Sequence, residues 1–123
     1  MTSNFETLTH INLDDLVASF GWQDHPVLAR LLRMLFLKPA QIFASHVVEY
    51  DEGVGSHGLV EGGWNLVRRY VNDLRIINAD RIPDSAFLAL SNHPGMADTV
   101  ALIAALNRKD LHIIALDRPF LNA

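Results

Sequence analysis

The sequence predicts an α/β domain, a mixed or parallel sheet with flanking helices, preceded by a helical N-terminal region. Three observations predict it. Residues 86–90 and 111–116 are short apolar runs, and between them residues 98–106 follow a helical pattern. Strand, helix, strand in that order implies a right-handed parallel crossover. The first 48 residues instead carry apolar side chains at helical spacing. Between the two lies residues 49–63, where Glu49, Asp51, Glu52 and Glu61 accompany five of the seven glycines, a composition expected of a mobile linker. The chain thus divides into a helical N-terminal region with its glycine-rich linker, residues 1–63, and a sheet-bearing part, residues 64–123.

The elements follow in order. Asn12 as a cap, Asp14 and Asp15 in a first turn, and Leu13, Leu16, Val17 and Phe20 at helical spacing predict a short amphipathic helix that Gly21 closes. Pro26 suits the first turn of a second helix, where Val27, Leu28, Leu31, Leu32, Leu35 and Phe36 form a wide apolar face beside Arg30, Arg33 and Lys38. No acid occurs from Pro26 to Val48. Such a face either packs on the core or lies on an anionic lipid surface, its cations meeting headgroups. Arg30, Arg33, Lys38 and Pro39 interrupt this window, so no transmembrane helix is expected, since one needs about 20 apolar residues. Residues 64–72 predict a helix, 74–78 a strand, and 79–85, with Pro83, a turn. Three strands with one crossover helix would leave apolar faces in water, which parallel sheets avoid, so the sequence is expected to be truncated at its C-terminus.

Composition narrows the function classes. A chain of 123 residues, 50% hydrophobic, can bury one core. With no cysteine it has no disulfide scaffold, thiolate metal site or cysteine nucleophile. A net charge of −4 and a pI of about 5.8 provide no basic footprint for nucleic acid. Residues 1–6 lack the basic start and apolar run of a secretory signal, and a cytoplasmic location is expected. His10, His25, His46, His57, His93 and His112 show neither H-x-x-x-H nor H-E-x-x-H spacing, so no metal is expected.

The chemistry concentrates in Ser91-Asn92-His93-Pro94-Gly95-Met96-Ala97-Asp98, where a strand candidate gives way to a helix. His93 and Asp98 are separated by four residues across a Pro-Gly turn. An Asp98 carboxylate accepting a hydrogen bond from one imidazole nitrogen would orient the ring and leave the other nitrogen as a base toward a substrate hydroxyl. The plainer alternative is that Asp98 caps the helix while His93 fills the turn.

Asn92-His93-Pro94-Gly95-Met96-Ala97-Asp98 resembles the Asn-His-x-x-x-x-Asp motif of the phospholipid/glycerol acyltransferases, and the flanks extend the resemblance over residues 74–120. The resemblance implies a glycerolipid acyltransferase-like sheet and transfer of a fatty acyl group from acyl-CoA or acyl-carrier protein to glycerol 3-phosphate or a lysophospholipid. The thioester is a co-substrate, and no cofactor is implied. By the same carry-over His93 is the general base, Asp98 its orienting partner, and Asn92 a supporting residue or an ordinary turn residue. The family's downstream Gly-x-x-Phe-type segment with its Arg, and its Glu-Gly-Thr segment, do not occur before Ala123, which puts activity of these residues by themselves in doubt.

Two rival readings remain. Gly53, Gly55 and Gly58 spell the dinucleotide pattern G-x-G-x-x-G, with Asp80 downstream, although Asp51 and Glu52 would repel a pyrophosphate. A non-catalytic membrane-surface module of acyltransferase-like fold would account for the basic helix and the missing motifs.

Overall fold

The computed structural model describes residues 4–92 and 96–115. Its elements are α1 (Asn4–Ser19), α2 (Pro26–His57), α3 (Leu59–Tyr70), a single 3₁₀ turn (Ala79–Arg81) and α4 (Met96–Leu106). Two compact units are distinguished, one including residues 4–49 and the other Tyr50–Ile113. The division falls at the start of the acidic, glycine-bearing segment, within α2.

The expected α/β sheet is absent: among the described residues there is no strand. Residues 74–78, 86–90 and 111–115 are irregular, and no backbone ladder joins them. The apolar runs that predicted strands stay largely in water, with Leu88, Leu90 and Ile114 at 74, 86 and 93% exposure. An apolar run of five or six residues says what a segment would bury, but a strand exists only when a second backbone supplies the matching donors and acceptors. With no paired strands, the expected crossover does not form either.

α1 begins eight residues before the expected Asn12 cap, so Asn12 lies mid-helix, where its buried Nδ2 finds no hydrogen-bond partner. Leu8, Thr9, Leu13 and Val17 are buried, and Thr9 Oγ1 donates back to the Phe5 carbonyl at 2.8 Å. Gly21 ends the helix as its sequence position predicts. At φ 67° it takes the left-handed conformation, and its N–H and that of Trp22 donate to the carbonyls of Ala18 and Val17, the paired bonds of a Schellman cap. Asp14 and Arg33 form an ion pair between α1 and α2.

Pro26 opens α2, where its missing N–H costs nothing. The helix runs 32 residues, roughly 48 Å at 1.5 Å per residue. It passes through Pro39 and on through Gly53 and Gly55, so the expected linker is helical. The dinucleotide reading loses its setting for the same reason: among the described residues no strand precedes these glycines, and Gly53 and Gly55 lie inside a helix instead of in a phosphate-binding turn. Only Gly58, at φ 87°, breaks the chain between α2 and α3.

Gly62 and Gly63 are the close-packed glycines of α3. A β-carbon on Gly62 would stand 2.5 Å from Val54 Cγ2 and 3.3 Å from the Val54 backbone, and one on Gly63 would stand 3.2 Å from Ile103 Cγ2. The two bare backbones let α3 approach the last turns of α2 on one side and α4 on the other. Val67 of α3 and Ile103 and Ala104 of α4 complete this small core. Burying side chains of the size of Val67 and Ile103 stabilises by about 1.5–3 kcal/mol each.

Candidate functional site

α4 places the motif's carboxylate. Asp98 stands in the first turn of α4, half-buried, where a negative charge meets the positive end of the helix dipole. Asn92 is exposed at the end of the irregular segment before the helix. His93, with Pro94 and Gly95, lies outside the described residues.

Asn92 and Asp98 line one open cleft of about 470 Å³, together with Ser91, Arg75, Ile77 and Leu102. Its volume is within the range of small-molecule sites, and its walls are apolar with a few polar groups, as such sites are. Arg75 is the one Lys or Arg among the described residues that line it. In the sequence Arg75 lies only within the strand candidate at residues 74–78. Nothing local reveals its place, because residues 74–77 and α4 converge through space.

A second cleft, about 560 Å³, lies at the other end of α4 and includes Trp64, Ile82, Asp84 and Arg108. It is the larger of the two, and of the two cations that line it, Arg108 and Lys109, Arg108 is committed to protein partners. Arg108 donates through Nε to Asp110 at 2.8 Å and through a terminal nitrogen at 2.6 Å, and its other terminal nitrogen reaches the carbonyls of Pro83, Asp84 and Ser85 at 2.8–3.2 Å. The guanidinium also lies over the Phe87 ring, 5.5 Å from its centroid. The hydrogen bond from Arg108 is the main cause holding the Asp110 carboxyl down at about 2. This arrangement clamps the turn at residues 83–87 to the end of α4 and engages all three guanidinium nitrogens of Arg108. A cation just beyond a helix C-terminus is the one sequence signal that could have pointed to it.

Among the described residues, no group of three His, Asp or Glu side chains converges as metal ligands would. No helix among them is long and apolar enough to cross a membrane. No family model matches the chain, and no curated protein or solved structure is significantly similar to it.

Proposed function

We propose that the chain acts with the phospholipid/glycerol acyltransferases, moving a fatty acyl group from acyl-CoA or acyl-carrier protein to the hydroxyl of glycerol 3-phosphate or a lysophospholipid in the cytoplasm. The observation that carries the reading is that Asn92 and Asp98, the two ends of the Asn92–Asp98 motif, line the same cleft beside Arg75.

His93 takes the proton of the acceptor hydroxyl as its oxygen attacks the thioester carbonyl. Asp98 orients the imidazole and stabilises the imidazolium that forms. The tetrahedral intermediate then expels the carrier: the C–S bond breaks, the sulfur takes the proton from His93, and an ester and a free thiol remain. No protein nucleophile enters the cycle. Arg75 offers the cleft a positive charge for a phosphate-bearing acceptor.

The test is thiol release from a panel of acyl-CoAs and acyl-carrier protein in the presence of glycerol 3-phosphate or lysophosphatidate, with the full protein and its variants. Acceptor-dependent release is expected, abolished in His93→Ala and reduced roughly 10⁴-fold in Asp98→Asn with the helical circular dichroism unchanged, by analogy with loss of a triad's orienting carboxylate. Near-normal turnover in either variant would remove these residues from the chemistry.

A further inference from the structure

α2 buries few of its side chains, and Leu28, Phe36 and Leu37 are 40–44% exposed around the helix. Leu32, Ala40 and Ala44, separated by multiples of four, are buried. On the opposite side, Val27, Leu31, Met34, Leu35 and Ile42 recur at intervals of three, four and seven, and they are 78, 51, 69, 65 and 53% exposed. Of the six residues whose spacing predicted an apolar face, only Leu32 is buried, so packing on the core does not account for that face. Lys38 stands within the outward row and Arg30 on its flank, both exposed, and no ion pair among the described residues engages them. Arg33, by contrast, is held by Asp14.

We infer that the outward row of α2, residues 27–42, docks in the plane of an anionic lipid surface, with Val27, Leu31, Met34, Leu35 and Ile42 entering the headgroup boundary and Arg30 and Lys38 meeting lipid phosphates. Charge selects this occupant. The stretch from Pro26 to Val48 contains three cations and no acid, in a chain whose net charge is −4. A second copy seated on the same face would set Arg30 and Lys38 against their own like, a repulsive arrangement. The row lies along the helix for about 22 Å at 1.5 Å per residue, suited to lying in an interface. No helix among the described residues meets the requirements for crossing the bilayer. The inference is independent of the acyl-transfer reading.

The experiment is co-sedimentation of the full protein with vesicles of phosphatidylcholine alone and of equal parts phosphatidylcholine and phosphatidylglycerol. Binding to the anionic vesicles is expected to exceed binding to neutral ones at least tenfold and to weaken in high salt. Arg30→Glu with Lys38→Glu should weaken the anionic binding about tenfold or more. Leu31→Gln with Met34→Gln should lower binding to both vesicle types while leaving the thermal midpoint unchanged, because both side chains already face water. Equal partition into the two vesicle types, or no partition, would overturn the inference. So would a concentration-dependent dimer in lipid-free solution that Leu31→Gln with Met34→Gln dissociates.

Discussion

α2 between residues 27 and 42 and α3 between residues 59 and 70 handle apolar surface in opposite ways. The first carries large side chains, and most of them remain in water. The second buries two glycines and a valine, yet its contacts are so close that a methyl group would collide with Val54 on one side and crowd Ile103 on the other. Hydropathy alone would rank these helices in the reverse order. The contrast teaches that helix packing in this chain follows surface fit: bare backbones at Gly62 and Gly63 admit neighbouring helices, whereas the outward row of α2 has no protein surface against it among the described residues. What each region is for differs accordingly, α3 holding α4 and therefore Asp98 in place, α2 presenting a face outward.

Substitution at the packed glycines breaks that contrast most severely. Gly62→Val is expected to destabilise by about 1–3 kcal/mol, the range for overpacking a tight contact, since the Val54 backbone as well as its side chain stands in the way. A urea midpoint indistinguishable from wild type would mean that α3 does not depend on that approach. Gly55→Ala, on the exposed side of α2 with nothing within 4 Å of the new methyl group, should act in the other direction and stabilise by about 0.5–1 kcal/mol through helix propensity. A loss instead would show that the C-terminal turns of α2 are not helical in solution.

The smallest effect concerns the clamp behind α4. Asp110 is held at about 2, below the ordinary aspartate value of roughly 3.9, so its contribution to stability is complete above about pH 4 and disappears as pH falls toward 2. Arg108→Gln should flatten the pH dependence of the urea midpoint in that window and leave it unchanged near neutrality apart from a constant offset. An unaltered slope would show that the pair does not persist in solution.

The first-turn position of Asp98 was legible because it is local: Asp98 at the start of an apolar helical pattern marks a first turn whatever lies around it. Gly21 and Pro26 were legible for the same reason, each acting through its own backbone freedom or missing donor. Arg75 was not, since its role depends on residues 74–77 meeting α4 across a cleft. The glycines of residues 49–63 misled because glycine has two unlike uses, conformational freedom and close approach, and only the neighbours Val54 and Ile103 show that Gly62 and Gly63 serve the second.

The sequence by itself determined the helical N-terminal half, the caps at Gly21 and Pro26, the acid-free basic stretch at residues 26–48 and the position of Asp98 in a first turn, because spacing, charge and backbone chemistry act within a few residues. Tertiary structure alone decided that the apolar runs at residues 74–78, 86–90 and 111–115 remain unpaired, that the glycine-bearing segment is helical, and that the face of α2 turns outward. Each of those outcomes depends on whether a second surface or backbone is present at the right distance, and local sequence does not encode that.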